Sequence, residues 1–561
     1  MRINRNKMMN HWLVLWIAAA IFAGCAGSSR FVVPEPPPDD QKVVPVPHSR
    51  EINLAADNVS KIGTMQIKNL FDISRHGRAI FNKPKEAMNV DAFDEVYNSS
   101  WFTNRNGLAQ MNIADFSRGP DQSSGPDTGN VWTIVAAKTQ GVTPGFNIRD
   151  SRDQQYVIKF DPAGYPELAT GAEVVSTKLF HAAGFNVPEN YLVKFDPAIL
   201  RIGNEVKFTD KQGQKRFMNE DDLAKILAKI QKLPNGRIRA VASKYLPGKP
   251  MGAFFYTGIR KDDLNDVIPH QHRRELRGLR WIAGWLNHFD TKANNSLDMY
   301  DPAGYVKHYL IDFGSTLGSQ GNEPMPPEIG REGIVDPPQV AKVIGTLGIY
   351  KRPWERDIEI KYPSIGYFVS ADFRPEKYKY IMPNPAFGNA TNRDSYWGAK
   401  IVMSFTDEQI RSAVAQGQYS NPEAAEYLAR IIIERRDIVG KYWFDRMAPL
   451  DRFALQQNSD GAQMLHFDDL AIDTRLADAT NTRYQITVER DAEIVAAAKD
   501  IGNRTAFSLA DLRETAANFP DSQWAIIIEL TRGEKNWPQP VTIFLKWDNS
   551  QNTFHLIGLQ R

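Results

Sequence analysis

The spacing of apolar residues changes period several times along the chain, and each change marks a predicted element. From residue 131, "VWTIVAAKTQ" and "GFNIRD", joined around "GVTPG", read as strands, followed by "QQYVIKFDP" at 154–162. "TGAEVVSTKLFHAAG" at 170–184 moves to helical spacing and ends at Gly184. "NVPENYLVKFDP" returns to strand, a charged helix is predicted over 219–232, and "IRAVASKYLPGKPMG" is a strand running into a Pro/Gly-rich bend. In "HRRELRGLRWIAGWLNH", Leu276, Leu279, Ala283 and Leu286 fall on one helical face, so that face is buried. Residues 320–400 are rich in Pro, Gly and Tyr and weakly periodic. "FTDEQIRSAVAQG" and "NPEAAEYLARIIIERRDIVGKYWFDRM" are helices with acidic starts. Two charge runs, "HRREL" and "ERRD", read as solvated or ion-paired helix faces. Beyond about residue 447, "TRYQITVER", "QWAIIIELTR", "PVTIFLKWD" and "TFHLIGLQ" are strands separated by turn residues. There is no internal repeat.

This order predicts an α+β protein: a small sheet-based lobe over 130–252, a helical lobe over 253–446, and a small all-β domain, a sandwich, over 447–561. Residues 51–129 form an N-terminal extension of short helical and irregular segments, ending in the loop "SRGPDQSSGPDTG".

Composition changes this picture little. The chain has 561 residues, 42% of them hydrophobic, enough for more than one core. Sixty-eight Lys and Arg nearly cancel 66 Asp and Glu, so bulk attraction to nucleic acid has no support.

The N-terminus is different in kind. Arg2, Arg5 and Lys7 precede an apolar stretch from Leu13 to Ala23, too short to span a bilayer. "IFAGC" closes it with small residues before Cys25, the only cysteine, so disulfides and thiolate metal sites are excluded. The segment resembles a bacterial lipoprotein signal peptide. The resemblance implies removal of residues 1–24, acylation of Cys25 and attachment to a lipid bilayer through acyl chains. Residues 25–50, with "VVPEPPPDD" and "VVPVP", are then an extended tether. No Asp follows Cys25, which points to the outer membrane facing the periplasm, or to the cell surface, within the cell envelope.

The candidate chemistry lies in "HFDTKANN" at 288–295 and "YLIDFGS" at 309–315. Phosphoryl transfer needs a carboxylate to orient the attacking hydroxyl, a cation near the transferring group, and oxygen ligands for a divalent metal. Asp290, Lys292 and Asn295 can supply these from one short loop after a helix. Asp312 leaves an apolar strand with its backbone fixed, and Gly314 lets the chain turn. Asn294 competes with Asn295 as metal ligand; the spacing favours Asn295.

These residues resemble the protein-kinase superfamily, in its atypical, phosphoinositide-kinase-like or secretory-pathway forms, over about 130–445. "HFDTKANN" is similar to the catalytic loop H-R-D-x-K-x-x-N, "IDFG" to the metal-binding D-F-G, and "YVIKF" to the strand motif V-A-I-K. The resemblance implies a two-lobed kinase-like domain binding ATP with Mg²⁺ or Mn²⁺. Asp290 and Lys292 would be catalytic, Asn295 and Asp312 would hold the metal, and Lys159 would bind nucleotide phosphates. Glu173 is the candidate partner of Lys159, although "TGAE" is also a capping box in which Glu173 would bond back to Thr170. His288 is read as a brace of the loop. No G-x-G-x-x-G loop is present; "TQGVTPGFN", with Gly141 and Gly145, stands where a phosphate-covering turn would be, and no A-P-E element follows "IDFG".

The reading left by the sequence is phosphoryl transfer to an unknown hydroxyl acceptor. The alternatives are nucleotidyl transfer by the same groups, or a catalytically silent scaffold whose C-terminal domain grips an envelope protein or a glycan.

Overall fold

A computed structural model of the chain describes residues 30–50, 84–137, 145–209, 215–333 and 358–561, with isolated positions between 342 and 354. The described residues fall into two units, one within 36–50, 84–91 and 95–446, the other within 30–35, 92–94 and 447–561.

In the larger unit the β pattern before residue 250 becomes one sheet. Its strands are β1 (Trp132–Ala137), β2 (Gly145–Arg149), β3 (Gln155–Phe160), β4 (Asn190–Phe195) and β5 (Leu200–Ile202). A separate hairpin, β6 (Lys207–Thr209) and β7 (Lys215–Phe217), precedes the last strand, β8 (Ile238–Lys244). The spatial order is β4-β8-β3-β2-β1-β5; β5 runs parallel to β1 and the other pairs are antiparallel. Alternation along β3 sends Tyr156, Ile158 and Phe160 into an apolar cluster with Trp132, Phe146 and Phe195, and turns Lys159 to the other face.

Among the described residues the first helices are α1 (Ile113–Arg118) and α2 (Leu168–Ala182), and α2 packs on β3, β4 and β8. Almost every residue of α2 is buried, because α1 and a later helix, residues 407–416, cover its other sides. This explains why its apolar residues spread around the helix. Helix α2 begins two residues before "TGAE", which puts Thr170 inside the first turn: the Thr170 backbone N–H and hydroxyl donate to Asp161 at 2.9 and 2.7 Å, so Glu173 is not engaged in a capping box. The charged helix α3 (Glu220–Leu227) is shorter than its sequence pattern and adds Leu223 to the sheet core.

The longer helices that follow are α4 (Arg274–Trp285), α5 (Asn392–Met403), α6 (Asp407–Gln416) and α7 (Pro422–Phe444). Side chains of Thr391, Thr406 and Asn421 cap the N-termini of α5, α6 and α7. Helices α4 and α5 approach through two glycines. A Cβ on Gly398 would stand 2.6 Å from the Gly278 carbonyl oxygen, and one on Gly278 would stand 2.6 Å from the Trp397 ring. Beside this crossing, Asp394 accepts from Arg274 at 3.0 Å and Arg277 at 2.7 Å, all three side chains fully buried. The run "HRREL" is therefore interior and ion-paired, the second of the two readings its charges allowed, with α5 and Asn89 covering its face. In "ERRD", Arg435 and Arg436 are likewise buried. A three-stranded sheet, order β11-β10-β9, completes this unit, formed by β9 (Lys249–Gly252), β10 (Ser296–Tyr300) and β11 (Val306–Leu310).

The C-terminal unit has two sheets. One contains β12 (Leu450–Gln457), β13 (Gln463–Asp469) and β16 (Ala506–Ser508). The other contains β14 (Thr482–Arg490), β15 (Glu493–Asp500), β17 (Gln523–Arg532), β18 (Lys535–Asn536), β19 (Val541–Asp548) and β20 (Thr553–Gln560). Leu450, Leu465 and Phe467 of the first share one core with Tyr484, Ile526 and Leu545 of the second. Two short helices, Leu470–Asp473 and Arg513–Asn518, make the unit β-rich rather than all-β.

Candidate active site

The site is built where α4 ends. Asn287 has φ +55°, the His288 N–H donates to the Ala283 carbonyl at 2.8 Å, and the Asn287 N–H donates to that of Gly284 at 3.2 Å. This pair of bonds is a Schellman closure with Asn in the left-handed position, which Asn tolerates better than most residues. The closure reverses the chain and delivers 288–295 to the sheet side. The Asn287 amide is itself fixed, since its Oδ1 accepts from the Tyr378 hydroxyl at 2.9 Å.

Along this loop Asp290 is held from two sides. Lys292 Nζ lies 3.0 Å from one carboxylate oxygen, and Asn295 Nδ2 donates to the other at 3.0 Å and to the Asp290 carbonyl at 2.8 Å. Both Asn295 amide protons are thus committed within the loop, which leaves its Oδ1 as the atom available to a cation. The Asn294 Oδ1 is buried and makes no hydrogen bond. The His288 ring is buried, 5.6 Å from that of Phe180 on α2 and 5.8 Å from that of Phe313. Burial lowers its pKa despite the nearby Asp290 carboxylate.

The β10–β11 register then sets Asp312 beside this loop. Ser296 pairs with Leu310, and the Ile311 N–H donates to the Asn295 carbonyl at 3.0 Å, so Asp312 follows directly on the residue facing Asn295. Asp312 has φ +66°, an uncommon conformation for a non-glycine residue, and its side chain is 54% exposed. Phe313 turns inward and stacks on Phe180 at 4.8 Å.

Lys159 joins the two regions. Its Nζ donates to Glu173 Oε2 at 3.0 Å and to Asp312 Oδ1 at 2.9 Å, the latter 153 residues away. Burial opposes its charge, but Asp312 and Glu173 outweigh that, so the pKa is raised and the ammonium stays protonated. Asn190 of β4 donates to Glu173 Oε1 at 3.2 Å and fixes the carboxylate's second oxygen. At Gly314 the backbone passes so close that a Cβ would stand 3.2 Å from Glu173 Oε2.

The structure therefore brings Lys159, Glu173 and Asp312 into contact, and Asp290, Lys292 and Asn295 into contact, with backbone pairing between the two groups. Gly145 opens β2 and pairs directly with Lys159. Gly141 and Cys25 lie outside the described residues. Sequence reasoning missed Asn190, Asn287 and Tyr378. An Asn after a helix and before a polar loop was the one available signal, for Asn287.

For a divalent metal, Asn295 Oδ1 and the Asp312 carboxylate are hard oxygen donors of the kind Mg²⁺ and Mn²⁺ take. Among the described residues no group of three or more His, Cys, Asp or Glu forms a metal cluster. Further ligands would come from phosphates and water, as is usual for Mg²⁺. One lysine between two carboxylates leaves an excess negative charge that suits a cation.

No family model matches the chain, and no curated protein does. Among solved structures it is similar to a Helicobacter pylori proinflammatory kinase, CtkA, at 13% identity and TM-score 0.31, over 58% of this chain and 99% of that one. It is also similar to the Golgi casein kinase at 11% identity and TM-score 0.28, over 74% of this chain and 95% of that one. A Golgi casein kinase structure with Mn/ADP bound gives 11% identity and TM-score 0.26, over 68% and 89%.

Proposed function

We propose that this chain is a kinase-like phosphotransferase, a two-lobed domain that binds ATP with Mg²⁺ or Mn²⁺ and passes a phosphoryl group to a hydroxyl acceptor. The observation that carries the reading is Lys159, held between Glu173 and Asp312 at 3.0 and 2.9 Å, next to a loop in which Lys292 and Asn295 fix Asp290. Each member of this set has a role in positioning or charge stabilisation, which is most of what phosphoryl transfer asks of a protein.

Glu173, steadied by Asn190, keeps Lys159 extended. Lys159 then meets the nucleotide phosphates. Asn295 Oδ1 and Asp312 would hold the metal, which when bound neutralises charge on the phosphates. Asp290 accepts a hydrogen bond from the acceptor hydroxyl and aims it. The acceptor oxygen bonds to the γ-phosphorus, the bond from that phosphorus to the bridging oxygen breaks, and ADP departs. The hydroxyl proton passes to Asp290 and on to water. Lys292 steadies the charge on the group in transit.

We further propose lipid attachment through acylated Cys25 in the cell envelope, on the strength of the "IFAGC" pattern and the basic residues before it.

The test uses ATP labelled in the γ or the α phosphate, incubated with the full chain and a cell-envelope fraction. Label from the γ position, lost in Asp290→Asn, is the expected result. Label from the α position alone would replace phosphoryl with nucleotidyl transfer. No label from either, in a chain that binds ATP, would make the domain a scaffold.

A further inference from the structure

In the C-terminal unit one row of residues crosses the larger sheet. Ile494 on β15 pairs with Glu489 on β14, Glu489 with Ala525 on β17, Ala525 with Phe544 on β19, and Phe544 with Gly558 on β20. Directly opposed residues share a face. This face is the outer one, since Tyr484, Ile486 and Val488 alternate into the core and Glu489 turns away from it. Phe31 lies on this row. Its ring stacks on that of Phe544 at 4.4 Å, and a Cβ at Gly558 would collide with it. Its N–H donates to Gln523 Oε1 at 2.7 Å, and its carbonyl accepts from Gln523 Nε2 at 2.9 Å. Arg30, one residue earlier, pairs with Asp491 at 3.5 Å in the β14–β15 turn and donates to the Asp521 carbonyl. The chain therefore reaches this unit at the corner where β14 turns into β15 and where β17 begins.

That corner is apolar and open. Val32, Val33 and Ile494 are 79, 53 and 65% exposed, and Val495 and Phe519 are exposed as well. Ile494 and Val495 lie near the start of β15, whose run "IVAAA" pairs with β14 alone among the described residues. Phe519 stands two residues before Asp521, with the Arg490 guanidinium 4.0 Å over its ring. Along the row, three strand spacings of about 14 Å in all separate Ile494 from the Phe31 dock. Single exposed apolar residues are ordinary on a protein surface, but five gathered at one corner mark a contact. Arg30 and Arg490 are matched by Asp491 and Glu493 at 3.5 Å each, so that contact is apolar rather than electrostatic.

What covers the corner follows from the sequence just before it. Only Ala26, Gly27, Ser28 and Ser29 separate Arg30 from Cys25. Five residue steps reach at most about 18 Å, even fully extended. Acyl chains on Cys25 would hold that residue at the headgroup layer, and the corner would then stand within this distance of the bilayer. We propose that the corner is a membrane-contact surface: with the chain anchored at Cys25, Ile494, Val495 and Phe519, with Val32 and Val33, enter the headgroup layer of the same leaflet. Apolar insertion of this kind fixes the orientation of a unit that acyl chains alone leave free to turn. The inference rests on the lipid attachment proposed above and adds the face that the anchor turns to the bilayer.

The experiment uses the full chain, expressed with its signal segment, purified in detergent, checked for acyl groups by mass and inserted into phosphatidylcholine vesicles. Cys25 is the only cysteine, and acylation consumes its thiol, so one introduced cysteine takes one label. An environment-sensitive fluorophore is placed on Ile494→Cys, Phe519→Cys or Glu534→Cys; Glu534 is exposed and lies beyond the far end of β17. The labels at 494 and 519 are expected to shift to the blue and to be quenched at least twofold by lipid spin-labelled just below the headgroup. The label at 534 should do neither. Melting temperatures equal to the parent's show that the labelled chains are folded, and Val495→Cys replaces a variant that melts early. Labels at 494 and 519 that stay in water on an acylated, vesicle-bound chain overturn this inference and leave the lipid attachment standing. A blue shift without lipid quenching, growing with the number of chains per vesicle, would mean that a second copy covers the corner by pairing with β15, and overturns it too. A parent chain that carries no acyl mass and does not bind vesicles overturns the lipid attachment itself, and this inference with it.

Discussion

Asp312 carries a conflict that only its surroundings resolve. It adopts φ +66°, a conformation that costs an L-residue roughly 1–2 kcal/mol, while its carboxylate is held on Lys159. Asp312→Asn keeps a side chain that tolerates this backbone and removes only the charge. It should therefore melt close to the parent while losing metal–nucleotide binding, as differential scanning fluorimetry and calorimetry would show together. Gly314 offers a second test. In Gly314→Ala the new methyl would press on Glu173 Oε2 from 3.2 Å, costing about 1–3 kcal/mol in urea unfolding and disturbing Lys159. The charged groups gathered here were legible because they stand in two short stretches, 288–295 and 309–315, and on the alternating strand "YVIKF". Asn190 was not, since a hydrogen bond from a strand end to a carboxylate on a helix leaves no periodic trace. Glu173 stayed open between capping and pairing until the start of α2, fixed by Asp161, placed Thr170 inside the first turn.

At the scale of elements, the end of α4 decides where the Asp290 loop goes. Arg435 covers two of its last carbonyls, so Arg435→Met should destabilise the chain by roughly 2–4 kcal/mol in chemical unfolding. Asn287→Gly should preserve the turn, whereas Asn287→Val should cost about 1–2 kcal/mol more than the glycine variant, because a β-branched residue resists φ +55°. The helix itself was readable from Leu276, Leu279, Ala283 and Leu286. The burial of Arg274 and Arg277 was not, because their partner Asp394 is more than a hundred residues away. The same limit hid β12 and β13, whose exposed, mixed-polarity ends dilute the alternation; β17 and β19, with strong apolar runs, stood out.

At the scale of the whole molecule, buried histidines set a pH dependence. His181 on α2 is held neutral by burial first and by neighbouring Arg105 and Lys178 next, its pKa lowered to about 3; His288 is lowered as well. Their folded pKa values lie below the unfolded value near 6.5, so the unfolded chain binds more protons. This contribution to stability is complete above about pH 6.5 and is lost as pH falls toward the folded values. Unfolding midpoints measured between pH 4 and 7 should rise through that window, with a smaller rise in His181→Gln. Cys25 gives a second whole-chain test: palmitate labelling and membrane sedimentation are both expected to vanish in Cys25→Ser. The most direct measurement of the central claim is calorimetric titration of the full chain with ATP and Mn²⁺. The unsubstituted chain should bind, Asp290→Asn should bind comparably, and Asp312→Asn should bind at least tenfold more weakly. Absence of binding by the folded parent, or equal affinity in Asp312→Asn, would contradict it.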